Sequence, residues 1–377
     1  MIVRLELRNK SFTILELLDS EMMNLTWEFS RIGGCGSITF DLPRAYCNEK
    51  AIGGDFNLRL YVRNPTTKAY DLWYQGIVEM KSPNVRGSDE TIQVQGHGYQ
   101  AQLSRIQLIG VTYTSQEASV IIKDILDNYI TPNTDISYDI GDLTATSFTF
   151  DSITFNTDAL SAIQTIADTV GGREWGVDEN RDFYFLARSS TVGLRFPLGD
   201  KVTNFNNDDS FKDVVNRVIV QGGDVAGVPF APDPTASAYN DIPSQTKYGR
   251  RDQIYQNSSI LTDTVAEQFA SSILSQYSTV IRRARCELSS YETQIEATIP
   301  IPLFNLISRR TLYGEKKYGT FLYSGQIDYQ INRIVYKLND EDSSLVTSLE
   351  LGQPLPNISE TIGQLKYNIE QLRTASV

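Results

Sequence analysis

The sequence is poor in the residues on which most enzyme chemistry depends. One histidine, His97, and three cysteines, Cys35, Cys47 and Cys286, occur among 377 residues. A single histidine excludes the two-histidine HExxH zinc site, and the cysteines show neither CxxC spacing nor the even count of a disulfide framework. A GxxxxGK[ST] phosphate loop is absent, and GGCGSI and GGD read as turns between strands. No stretch approaches the roughly 20 apolar residues that span a bilayer. The opening MIVRLELRNKSF alternates apolar with charged residues and lacks the unbroken apolar core of a signal peptide, so synthesis in the cytosol with reduced thiols is expected. Positive charge is also short. The 34 Lys and Arg stand against 46 Asp and Glu, a net charge of −12, which argues against a protein that coats nucleic acid.

What is plentiful is strand-forming material. Apolar residues make up 41% of the chain, with 20 Tyr and 16 Phe, and Thr, Ile and Val recur in short alternating runs. In NLTWEFS, Leu25, Trp27 and Phe29 alternate with polar residues; Ile38, Phe40 and Leu42 do so in SITFDLP, and Leu58, Leu60 and Val62 follow suit. Residues 1–105 are therefore expected to form a closed or nearly closed antiparallel barrel, which leaves few strand edges exposed. Over 106–199 the pattern becomes α/β. One helix carries Ala118, Ile121, Ile122, Ile125, Leu126 and Tyr129 with Ser115 as its cap; another carries Leu160, Ile163, Ile166, Ala167 and Val170, capped by Thr157 and ended by Gly171. A hairpin turning at Asp178 to Asn180 follows. Residues 228–248 read as a long exposed loop, and Val265, Phe269, Ile273, Leu274 and Tyr277 mark another helix.

Candidate chemistry is sparse. His97, in QGHGY, reads as a structural or surface residue. Glu174 beside Trp175, with Asp178 and Glu179, is the best carboxylate cluster, and a hairpin tip that is acidic for solvation explains it. The acidic turn at Asp340 to Asp342 lacks the remaining positions of a calcium loop. Arg282, Arg283 and Arg285, Arg309 and Arg310, and Lys316 and Lys317 read as solvated faces or subunit contacts, and Trp27, Trp73 and Trp175 as core. No catalytic residue, cofactor or metal site is expected.

The end of the chain differs from all that precedes it. Ile358, Ile362, Leu365, Ile369 and Leu372 are spaced by four, three, four and three residues, a coiled-coil seam behind a capping box at Asn357 and Glu360. Ile362 and Ile369 at a with Ile358, Leu365 and Leu372 at d lean towards two strands, and a helix packed on its own subunit is the plainer alternative.

Several segments together resemble the baseplate hub proteins of long-tailed bacteriophages, in siphophages the N-terminal structural part of the tail-associated protein. They are WEFSRIGGCGSITFDLP, YQGIVEM with TIQVQGHGYQAQLS, ALSAIQTIADTVGGREWGVDENRDFYF, NRVIVQGGD with KYGRRDQI, and INRIVYKLNDEDSSLVTSLELG, in that order along residues 1–352. The resemblance implies a mainly β protein with two β-barrel-like domains, two smaller α/β domains and a C-terminal helix. Mapped here, 1–105 is the first barrel, 106–199 the helix-plus-hairpin module, 200–255 with 318–352 the second barrel, 256–317 an insertion, and 353–377 the helix with the seam. It further implies a homotrimer at the virion tail tip, with a distal tail ring protein and tube above, a central fibre or spike below, and DNA passing without specific binding. Longer family members continue into a fibre or a wall-degrading module where this sequence stops at Val377, so no lytic role is expected. The alternatives are a monomeric β-rich carbohydrate-binding protein or glycosidase, and the spike base of a contractile injection system.

Overall fold

The computed structural model describes residues 3–18, 22–43, 52–64, 67–86, 89–188, 202–258, 260–288, 300–303, 327–339 and 345–352. The seam residues Ile358, Ile362, Leu365, Ile369 and Leu372 lie outside the described residues, as do Arg309, Arg310, Lys316 and Lys317.

The first seven strands are β1 (Val3–Arg8), β2 (Ile14–Leu17), β3 (Met23–Ser30), β4 (Ile32–Pro43), β5 (Asn57–Arg63), β6 (Tyr70–Arg86) and β7 (Asp89–Gly98). Their two-residue periodicity sets the buried side: Val3, Leu5 and Leu7, Leu25, Trp27 and Phe29, Ile38, Phe40 and Leu42, and Leu58, Leu60 and Val62 all enter one core.

Next, β8 (Gln107–Glu117) runs without a loop into α1 (Ala118–Ile125), and β9 (Thr149–Asp158) runs directly into α2 (Ala159–Val170). β8 and β9 pair antiparallel, and the ladder reaches Glu117 opposite Thr149. That pairing moves the helix start past Ser115, and Glu117 is the cap: its carboxylate accepts from the backbone N–H of Ser119 (3.1 Å), Val120 (3.3 Å) and Thr146 (2.6 Å). In α2 the cap is Asp158 rather than Thr157, with Oδ1 accepting from Ser161 N at 2.9 Å, and the helix ends at Gly171 as expected. The hairpin of β10 (Arg173–Val177) and β11 (Phe183–Ala187) follows. Asp178 Oδ1 closes its turn by accepting from Asn180 N and Asp182 N, both at 2.8 Å.

The third stretch comprises β12 (Val202–Ser210), β13 (Arg217–Gln221), β14 (Asp224–Val225), β15 (Val228–Pro229), α3 (Ile242–Tyr248), β16 (Asp252–Gln256), α4 (Asp263–Tyr277), β17 (Ile281–Leu288), β18 (Pro300–Leu303), β19 (Ile327–Leu338) and β20 (Leu345–Gly352). The loop expected over 228–248 is largely ordered structure. Asp241 caps α3 by accepting from Ser244 N at 2.9 Å, Pro243 sits in its first turn, and Tyr239 is buried. Fully buried Asn216 holds the span in place, donating from Nδ2 to Gly249 O (2.8 Å) and accepting at Oδ1 from Arg251 N (2.7 Å).

Pairing joins the two ends of the chain. The principal sheet runs β12-β17-β20-β19-β3-β4-β7-β6-β5-β1-β2, with β10, β11 and β18 attached beside this path. The protein is mainly β, as expected. Among the described residues the strands expected to form two barrels do not close on themselves but meet edge to edge at β3 and β19, antiparallel, with Trp27 opposite Tyr336. They also share one core. The Tyr336 ring stacks on Trp27 at 5.2 Å and lies 5.0 Å from Trp73. A second core lies between α1, α2 and α4, the β8–β9 ribbon, the β10–β11 hairpin and β13. α4 thus packs with the helix-and-hairpin segment, while β17 takes a place in the principal sheet.

Candidate assembly surfaces

The junction between the two cores is built on glycine. Strand β10 pairs parallel with β4, setting Gly176 beside Gly33 and Val177 beside Gly34. A Cβ on Gly34, whose φ is +80°, would lie 2.1 Å from Val177 O, and one on Gly176 would lie 2.4 Å from Gly34 N. The GGCG run is therefore more than a turn. It is a seat with no room for side chains, on which the hairpin rests.

Beside this seat lies the carboxylate that the sequence placed in an acidic hairpin tip. Glu174, the second residue of strand β10, is 1% exposed, and among the described residues its Oε1 has no hydrogen-bond partner. Burial pushes its carboxyl up to about 7, against the pull of Arg31 and Arg188. Arg31, also 1% exposed, is brought down to about 10, chiefly by burial, with Arg188 adding repulsion and Glu174 opposing. A carboxyl so enclosed does not meet a glycan. Asp178 serves the hairpin turn, and His97 lies half-exposed on β7 with Nε2 3.8 Å from Glu79. Among the described residues no group of three His, Cys, Asp or Glu side chains is placed to hold a metal ion.

The outward surface of the sheet carries charges of alternating sign across successive strands. Arg285 reaches Glu350 at 3.3 Å, Arg333 reaches Glu350 at 3.6 Å, and Arg333 Nε donates to Glu28 at 2.9 Å. Glu28 in turn accepts from Ser37 N at 3.2 Å. Further along, Arg105 pairs with Glu79 (3.7 Å) and Asp55 (3.0 Å), and Asp55 with Lys10 (3.3 Å). Arg283 lies 3.8 Å from Asp213. The arginine run near 282–285 is thus engaged within the chain at both of these positions.

Two further surfaces are open. A groove of about 1110 Å³ lies between the end of α2, the start of α3 and one face of α4, lined by Arg173, Asn240, Glu267, Gln268 and Ser271 among others. At one end of the sheet, β2 exposes Ile14, Leu15 and Leu17. Among the described residues β2 pairs only with β1.

No family model and no curated protein matches the sequence. Solved structures do match in fold. A prophage tail protein from Shewanella oneidensis superposes with a TM-score of 0.61 at 13% identity, covering 94% of this chain and 99% of that one. A prophage tail protein from Listeria monocytogenes gives 0.58 at 12% identity, over 98% and 100%. A chain of a Francisella PdpA-VgrG complex gives 0.52 at 10% identity, over 93% of this chain and 52% of that one. The chain shares its fold with these phage tail proteins.

Proposed function

We propose that the chain is a structural tail-tip or baseplate hub protein. Three copies form a ring that closes the tail tube, joins a sixfold tail ring to a threefold fibre or spike, and opens for DNA. One observation carries this reading: the likeness to prophage tail proteins runs over nearly the whole of both chains, so the fold is shared as an entire unit and not as one common module. The division into barrels, module, insertion and terminal helix belongs to the same proposal, with Ile358, Ile362, Leu365, Ile369 and Leu372 as the junction between three chains or with a spike.

The charge pattern suits passage of DNA. Along the outward stripe each arginine lies beside a carboxylate, so an approaching phosphate meets repulsion next to every attraction. Three copies triple the net charge of −12, and few counterions would be released on contact with a duplex.

Tail particles labelled with an antibody to this chain, imaged by electron microscopy, test the proposal. Label at the end of the tube away from the capsid is expected; label along the tube, or none, overturns it. The likeness to a chain of the PdpA-VgrG complex favours a second reading, the spike base of an injection system, for which label would sit on capsid-free, sheath-bearing particles.

A further inference from the structure

In this acidic chain, basic side chains gather around two exposed rings. Phe211 and Lys212 precede β13, Lys247 and Tyr248 end α3, and Arg250 and Arg251 follow it. Arg251 ties the two segments together, donating from Nη1 to Phe211 O and Lys212 O and from Nε to Tyr248 O at 3.3 Å. Its side-chain partners among the described residues are carbonyls, which leave the guanidinium charge in place. Phe211, 55% exposed, sets its ring 6.4 Å from that of Tyr248, and Lys247 Nζ lies 4.9 Å from the Tyr248 ring. Lys212, Lys247 and Arg250 are exposed. Fully buried Asn216, through Gly249 O and Arg251 N, fixes the backbone that carries them. Aromatic rings and an arginine held in advance of contact are the composition of a protein-binding surface.

A complementary surface stands on the same chain. Residues 106–188 hold 13 Asp and Glu against four Lys and Arg, a net −9 out of −12. Bridges of Ser137 with Asp182 and of Leu143 with Phe185 lay the 137–143 segment along β11, which sets Asp139 and Asp142 near Asp182. Burial raises the Asp142 carboxyl, and repulsion from Asp139 and Asp182 adds to the rise. Between Asp139 and Asp142 stands Ile140, 63% exposed. We propose that the Phe211 and Tyr248 patch of one copy docks on the Asp139–Asp142 turn of a second copy of this chain. Ile140 then meets the two rings, and Asp139, Asp142 and Asp182 meet Lys212, Lys247 and Arg251. Charge complementarity selects this occupant. A nucleic acid would also satisfy the cations, but it would leave Ile140 bare and the three carboxylates repelling one another. Because the two surfaces differ, the contact is heterologous, the type of contact that generates rings. The inference rests on the ring reading above and names the contact that closes the ring.

Exchange of charges on the full-length chain provides the test, with light scattering reading the mass and circular dichroism the fold. Lys212→Glu with Lys247→Glu, and separately Asp139→Lys with Asp142→Lys, are each expected to reduce the three-chain species by about tenfold or more, with unchanged circular dichroism. The chain carrying all four substitutions should recover it, since its two surfaces are again complementary with the signs exchanged. An undiminished three-chain mass in either double variant overturns the docking and leaves the ring reading standing. Loss in both without recovery in the fourfold variant does the same. A short DNA duplex whose gel mobility is shifted by the unaltered chain, but not by Lys212→Glu with Lys247→Glu, also overturns it and assigns the patch to phosphates. A single-chain mass for the unaltered chain at every concentration removes both.

Discussion

Glu174 shows how a residue can be read correctly for place and wrongly for environment. Its position near a hairpin is plain in the sequence, but β10 is flanked by β11 on one side and β4 on the other, so almost every side chain on it is buried. A parallel pairing with a strand so far upstream leaves no local pattern. The raised carboxyl has a signed consequence. Between the ordinary glutamic acid value of 4.5 and about 7, the folded protein keeps a proton that the unfolded chain has lost, so stability falls as pH rises through that window. The effect is of order 2–3 kcal/mol. Glu174→Gln, neutral at every pH, is expected to flatten this dependence, read as the denaturant midpoint from pH 4.5 to 7.5. Gly34 makes a sharper demand, because its φ of +80° and the nearby Val177 carbonyl both oppose a side chain. Gly34→Ala should destabilise by about 2–4 kcal/mol. Hydrogen exchange should show the amides of β10 losing protection before those of β5.

Elements were legible where periodicity ran long, and their boundaries were displaced where pairing intervened. The stripes Ile121, Ile122, Ile125 and Ile163, Ile166 do face a core, yet both helices begin later than their expected caps because the β8–β9 ladder holds the chain extended up to them. Ser115 is of a favoured capping type, whereas glutamate is a poor N-cap by preference. Here it succeeds because the same carboxylate also accepts from Thr146, tying α1 to the segment before β9. Those hydrogen bonds hold the Glu117 carboxyl below the usual range although burial pushes it up. Glu117→Ala should cost about 1–2 kcal/mol, and a thermal melt checks it. Residues 228–248 were misread for a different reason. Proline and polar residues mark a loop by composition, but Asn216 and Arg217, distant in sequence, give the segment partners, Arg217 by donating to Pro234 O at 3.2 Å.

At the scale of the whole molecule, the sequence reveals the order of strand-rich and helix-rich segments, but not that the first and last strand groups are one sheet with one core. Such joining depends on contacts between residues about as far apart as the chain allows, and alternation is blind to partners. The proposed seam is tested at this scale too. Ile362→Asp with Ile369→Asp is expected to reduce the three-chain species by about tenfold or more, since two charges on each copy would be buried at the proposed junction. The circular dichroism of the strands should stay unchanged. An undiminished three-chain mass would take the seam out of the assembly.

The meeting of β3 with β19 also sets a timetable. Arg333 and Glu28, bonded across that contact, are separated by 305 residues. At roughly 5–20 residues per second of translation, β3 emerges from the ribosome some 15 to 60 seconds before its partner exists. Until then half of the sheet waits with an unmatched strand and with Trp27 lacking its Tyr336 neighbour. A nascent chain in that state lacks the finished sheet. The joined sheet therefore cannot form before β19 has been made.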